Sequence, residues 1–208
     1  MLIFTRDYDF SEGEQEWKHG FADYPAGPDD SALFELKYAY TDPPTESKLT
    51  KRSVMLSGNN LNQDLFMYLK RRITRLKPDT DYTITFKVEL GSNLNFDPDN
   101  STGSVYLKAG ATPSEPKSVM ASGNYVMNID KGDQHTSGGN MISLGDVRTP
   151  ASSAGYTLIT RNNTMANSRY VIRTNSNGEL WLIVGTDSSL EGTTSIFYSR
   201  ITVVFSAS

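Results

Sequence analysis

Residues 82–90 alternate without a break. Tyr82, Ile84, Phe86, Val88 and Leu90 fall on one parity, and Thr83, Thr85, Lys87 and Glu89 on the other. A two-residue period suits a strand with one face buried and one face in water. The approach to it, Leu76-Lys77-Pro78-Asp79-Thr80, reads as a turn. Pro78 presets φ, and the Asp79 side chain can hydrogen-bond the backbone that follows. Such a strand demands others beside and opposite it, because one half-apolar strand cannot close a core.

Partners are supplied along the whole chain. Strand-like runs cover 33–40, 53–56, 65–73, 104–109, 125–129, 156–160, 170–173, 179–184 and 196–205, separated by turn-forming residues. Many short strands at near-regular spacing predict a sandwich or barrel. Asn175-Ser176-Asn177-Gly178 sits between two of them, and Asn-Gly predicts a type I′ hairpin turn. Residues 185–194 read as a polar loop. The segment 60–72 admits an Asn-capped helix with Leu61, Leu65, Tyr68, Leu69 and Arg72 on one face. A strand over 64–74, running straight into the 76–78 turn, is the preferred reading. Residues 12–31 and 130–154 read as long irregular stretches, which in a compact domain are functional or disordered.

The chain has 208 residues, the size of one all-β domain, and the expectation is a single unit over 1–208. It has no cysteine, which excludes disulfides, thiolate metal sites and cysteine nucleophiles. A net charge of −4 argues against nucleic-acid binding. The one basic cluster, Lys70, Arg71, Arg72, Arg75 and Lys77, reads as a charged strand edge that blocks further pairing, with Lys70 and Arg72 on one face and Arg71 on the other. No apolar run is long enough for a membrane-spanning helix. Residues 1–7 are too short and too soon charged to be a signal peptide, so any export signal would precede Met1.

The 76–90 unit, with its leucine, proline, turn, tyrosine and alternating strand, resembles a segment of the galactose-binding-like jelly-roll carbohydrate-binding modules. Tyr8-Asp9-Phe10-Ser11-Glu12-Gly13 followed by Trp17 is similar to their opening. Gly178-Glu179-Leu180-Trp181-Leu182-Ile183-Val184-Gly185, then Ile196-Phe197-Tyr198 and Ile201-Thr202-Val203, resembles their closing hairpin. The likeness spans about residues 8–205. It implies an all-β, single antiparallel β-sandwich of jelly-roll type, a non-catalytic carbohydrate-binding role, and a secreted, periplasmic or cell-surface location. A bacterial secreted β-sandwich family of another kind fits the same motifs. Many such modules hold a structural calcium with an aspartate in the last strand. Residues 198–201 carry no acid there, and Arg200 would oppose a cation. Residues 134–167 have no counterpart in the family.

Sugar rings stack on flat exposed aromatics, with amides beside them to read hydroxyls. Trp17, His19 and Tyr24, with Asn59, Asn60 and Gln63, are the candidate ligand-binding residues. The plainer reading of Trp17 is a core tryptophan. Trp181 alternates with Leu180 and Leu182, so it faces away from them. Asp97 and Asp99 offer alternating oxygen ligands for calcium, but position 108 is lysine where an EF-hand needs glutamate, and a polar turn explains them as well. Asp130, Asp133 and Gln134 make a weaker case. His19 and His135 lack zinc-site spacing. Glu12, Glu14, Glu16 and Asp23 read as solvated loop acids rather than a glycosidase pair. No nucleophile elbow, dinucleotide fingerprint or P-loop is present. The expectation is therefore a carbohydrate-binding sandwich without a resident cofactor. The alternatives are a structural or protein-interaction sandwich and a jelly-roll hydrolase or lyase.

Overall fold

The computed structural model describes residues 2–96, 103–150, 153–164 and 169–207. The first half of the chain forms β1 (Leu2–Asp9), β2 (Lys18–Ala22), β3 (Tyr24–Pro25), a short helix α1 (Pro28–Ala32), β4 (Lys37–Thr41), β5 (Ser53–Asn60), β6 (Leu65–Ile73) and β7 (Asp81–Ser92). The second half forms β8 (Val105–Thr112), β9 (Ser118–Ala121), β10 (Asn124–Met127), β11 (Met141–Asp146), β12 (Thr157–Asn162), β13 (Val171–Arg173), β14 (Leu180–Ser188) and β15 (Gly192–Ala207).

A seven-stranded sheet runs β12-β7-β15-β5-β4, with β1 also on β15 and β13 also on β7. A five-stranded sheet runs β11-β8-β14-β6-β2. The strand pairs are antiparallel. The chain passes back and forth between the sheets, β5 to β6 to β7 to β8 and later β14 to β15, which is jelly-roll wiring of a β-sandwich. The alternation in residues 82–90 is in place. Tyr82, Ile84, Phe86, Val88 and Leu90 are buried between the sheets, against Leu56, Leu107, Leu182, Val203 and Phe205 of the same core. A third sheet, β3-β10-β9, covers the outer face of the five-stranded sheet, where Ala22, Phe66, Tyr68, Met141 and Ile183 form a second apolar cluster.

Several local expectations are corrected. Residues 60–72 form no helix; β6 lies between β14 and β2, and both its faces are covered, which a strand satisfies and an amphipathic helix would not. The basic cluster is therefore not a strand edge. Lys70 is buried against Glu115, Arg71 pairs with Glu16, and Arg72 pairs with Glu179. The run 33–40 is a strand only from Lys37, because Leu33 and Phe34 close the turn after α1. The stretches 12–31 and 130–154 contain β2, β3, α1 and β11. The 185–194 loop is mostly strand, since β14 continues to Ser188 and β15 begins at Gly192. The 175–178 turn is not type I′. Gly178 donates to Asn175 O, and only Gly178 of the four has positive φ, the pattern of a type I turn followed by a left-handed glycine.

Candidate functional site

On β14, Leu180, Leu182, Val184 and Thr186 face the core, while Trp181, Ile183, Gly185 and Asp187 face outward. Register places Asp187 beside Phe66 of β6 and Tyr106 of β8, with Lys108 one step along β8 on the same face. The loop after β10 folds back over this face and delivers Lys131. Asp187 and Lys108 are fully enclosed, each with 0% of its side chain exposed. Lys131 Nζ lies 2.6 Å from Asp187 Oδ2 and 3.0 Å from Asp23 Oδ2, above the Phe66 ring. Lys108 Nζ lies 3.2 Å from Asp187 Oδ2 and donates to Lys131 O at 2.8 Å. Asp64, from the β5–β6 turn, completes a triad in which oxygens of Asp23, Asp64 and Asp187 lie within 4.8 Å of one another.

Burial dominates the electrostatics here. It pushes Lys108 below the usual lysine range, against the pull of Asp187. It works against the charge on Lys131 too, but Asp187 and Asp23 outweigh it and hold that ammonium above its ordinary value. Burial raises Asp23, opposed by Lys131. Asp64 is pushed up to about 6, first by burial and then by the Asp23 charge. Among the described residues Asp64 has no ion-pair partner, while the other two carboxylates share the lysines. The Lys131 ammonium already sits where a metal ion would bridge Asp23 and Asp187.

A polar rim surrounds this cluster. Asn62 Nδ2 donates to Asp23 O, Gln134 Nε2 donates to Gln63 O, and Gln63 Nε2 donates to Glu191 Oε1. The Asp23 backbone N–H donates to Tyr125 O, which seats Tyr24 against Tyr125 with ring centroids 5.1 Å apart and planes at 36°. Tyr24 also leans on the buried Phe34 ring, and both tyrosines remain partly open to solvent.

The sequence-predicted residues divide accordingly. Tyr24, Asn59, Asn60 and Gln63 come together at this loop end. Asn59 is spent on structure, with Nδ2 donating to Leu33 O and its backbone N–H to Phe34 O. Asn60 is enclosed; it donates to Ser188 O and Leu190 O and accepts from the Asn62 and Asp64 N–H groups. Trp17 is no exposed platform. It is 4% exposed and packs edge-on against Tyr8 and Phe10, the core role that its size favours. His19 is exposed, but one ring face is stacked on Tyr38 at 4.0 Å along the edge between the sheets. Asp97 and Asp99 lie outside the described residues. Asp64, Lys108, Lys131 and Asp187 were not singled out. The legible signal was slight: Asp187 keeps the parity of Trp181 and Ile183, so a strand continued past Gly185 would carry it on the same face.

Hydrolysis of a glycosidic bond needs two carboxyls facing each other across an open cleft. Asp187 is closed off, and Asp23 is held by Lys131. Asp64 stands alone at the surface, equipped to accept hydrogen bonds. A separate cleft of about 220 Å³ lies on the outer face of the seven-stranded sheet, between Leu49, Lys51, Glu89, Leu158 and Arg200.

No protein-family model matches the chain, and no curated protein matches its sequence. Among solved structures it resembles the K3 cleaved adhesin domain of Lys-gingipain from Porphyromonas gingivalis W83, with TM-score 0.44 and 12% identity over 98% of this chain and 99% of that one. It resembles TmCBM61, solved with β-1,4-galactotriose, with TM-score 0.41 and 10% identity over 93% and 92% of the two chains. The xylan-binding CBM22-1 domain of Paenibacillus barcinonensis Xyn10C gives 0.39 and 6% over 96% and 92%. At such scores these likenesses add nothing to what the strand pairing shows. Among the described residues no helix is long and apolar enough to cross a membrane.

Proposed function

We propose that this protein is a carbohydrate-binding β-sandwich that takes a neutral sugar at the loop end around Tyr24, Tyr125 and Asp64, without catalysing a reaction. Its setting is the cell surface or the medium. The observation that carries this reading is the pairing of two partly open tyrosine rings with a surface carboxyl and a rim of amides. Ring faces take the C–H surface of a sugar, and the Asp64 carboxyl, Asn62 and Gln63 read its hydroxyls. The buried Asp187–Lys131–Asp23 chain holds this rim in place, so little ordering is needed when a ligand arrives.

The test is titration calorimetry against a panel of neutral oligosaccharides with wild type, Tyr125→Ala and Asp64→Asn. Wild type binds at least one of them, and Tyr125→Ala weakens binding about tenfold, the equivalent of ~1.4 kcal/mol. A wild-type protein that binds none of the panel, or a Tyr125→Ala variant of unchanged affinity and unchanged circular dichroism, rejects the reading. A structural or protein-interaction role is the second reading, and β1 favours it: Leu2 and Ile3 are 58% and 54% exposed on a strand that pairs only with β15 among the described residues. Sedimentation that shows a monomer at high concentration counts against it.

A further inference from the structure

The inward parity of β6 is Leu65, Met67, Leu69, Arg71 and Ile73, so one guanidinium stands in an otherwise apolar row. It does so where β1 of one sheet and β6 of the other draw apart, at the end of β6 opposite to Asp64. Arg71 lies over the Tyr8 ring, 4.8 Å from its centroid. Its Nη2 meets Glu16 Oε2 at 2.7 Å, but that glutamate is 84% exposed. Gln15 and Glu16 both hold positive φ, 54° and 60°, to place the carboxylate there. Nε and Nη1 of Arg71 and Oη of Tyr8 are buried with no hydrogen bond of good geometry among the described residues, although the Tyr8 hydroxyl and the Arg71 guanidinium face each other. Tyr8 itself is 5% exposed. A cleft of about 590 Å³ is lined by Tyr8, Glu16 and Arg71 together with Arg6, Arg72 and Arg75, and the three unpartnered atoms lie beneath its wall. Among the described residues Arg6 and Arg75 have no acidic partner. The cleft thus gathers four guanidinium groups and one acid in a chain whose net charge is −4.

We propose that this cleft is an anion site for the carboxylate or sulfate of an acidic sugar, with Arg71 and Tyr8 as the deep contacts and Arg6 and Arg75 as the outer ones. Arginine presents a planar fork that matches an oxyanion with two parallel hydrogen bonds. The incoming anion displaces Glu16, whose exposed ion pair is weak, and the freed Nη2 joins Nε on one edge of the fork. Tyr8 Oη donates a further hydrogen bond. The cleft volume is that of a small-ligand pocket rather than a polyelectrolyte groove, and the acidic remainder of the molecule repels a long polyanion outside it. The site lies roughly 20 Å from the loop end, six residues along β6 at about 3.3 Å each, and does not depend on sugar binding there.

Titration calorimetry with polygalacturonate oligomers, heparin oligosaccharides, neutral dextran and inorganic sulfate tests it, using wild type, Arg71→Met, the double variant Arg6→Ala/Arg75→Ala, and Glu16→Gln. Wild type binds the uronate or the sulfated oligomer, and which of the two it prefers names the anion; any dextran binding belongs to the loop end and is lost in Tyr125→Ala. Arg71→Met and the outer double variant each weaken binding at least about tenfold. Glu16→Gln strengthens it severalfold, because the competing carboxylate is gone. That variant keeps the proposal open to rejection even if Arg71→Met does not fold. No binding to either acidic oligomer, binding of inorganic sulfate alone, dextran binding that Arg71→Met abolishes, or a Glu16→Gln affinity at or below wild type overturns it. Loss of neutral-sugar binding in Tyr125→Ala with this affinity intact separates the two sites.

Discussion

Asp64 is the residue whose charge most directly sets a pH response. Its carboxyl is shifted from 3.8 to about 6 by burial and by Asp23, so the folded state holds a proton that the unfolded chain gives up. Between about pH 4 and pH 6 the native state binds more protons than the unfolded one, and stability falls as pH rises through that window. Above pH 6 the cost is fully present. The full linkage figure is about 3 kcal/mol, but the carboxyl is half open to water, and screening brings it to about 1 kcal/mol. Asp64→Asn is therefore expected to be more stable than wild type by about that amount at pH 7.5, with the advantage gone below pH 4. Urea unfolding at a series of pH values checks it, and a gap that stays constant from pH 4 to 8 would show that Asp64 titrates normally. Asp187 lies deeper than Asp64. It is enclosed with two ammonium groups, and its burial is tolerable only because Lys108 and Lys131 are both present.

At the level of the element, the loop between β10 and β11 shows how a backbone position governs a site. It lies so close on β8 that a Cβ on Gly110 would sit 2.0 Å from Asn140 O. The same carbonyl accepts from Tyr170 Oη at 2.7 Å, and Ala111 N–H donates to that hydroxyl, so β8, this loop and the residue before β13 are tied together. Gly110→Ala must lift the loop, and with it Lys131. The expected cost is about 2–4 kcal/mol, the scale of disrupting a buried ion pair and its packing, with faster hydrogen exchange confined at first to residues 128–140. Unchanged stability and unchanged exchange in that loop would mean that the close approach is not required. β6 carries the complementary lesson. Its residue pattern permits helix or strand, and its position between β14 and β2 decides for strand, because both faces are covered.

In the whole molecule the two ends of the chain are joined. β1 pairs along the second half of β15, with Leu2 opposite Ala207 and Asp9 opposite Arg200, and Phe4 stacks on Phe205 at 4.9 Å. Removing residues 1–9 should expose Phe205 and Tyr82 and leave a long unpaired edge, so the truncated protein is expected to lose its near-ultraviolet dichroism and to aggregate. A truncated protein that remains monomeric with a native spectrum would show that β1 is dispensable. The alternating run at 82–90 was enough to establish the buried face of β7, and the strand-like runs along the chain to establish an all-β sandwich or barrel. Those features are local, since a two-residue period assigns side chains to opposite faces whatever lies across from them. That pattern could not reveal what covers each face. Nothing local marks Lys108 as buried, yet β14 and the loop carrying Lys131 enclose it; Asp187 reads as part of a loop, yet Phe66 and Tyr106 flank it. Arg71, in the inward row, looks like a surface charge until β1 arrives with Tyr8. Each partner comes from a part of the chain far away in sequence, so only the packing of one sheet on another settled which charges meet water and which meet each other.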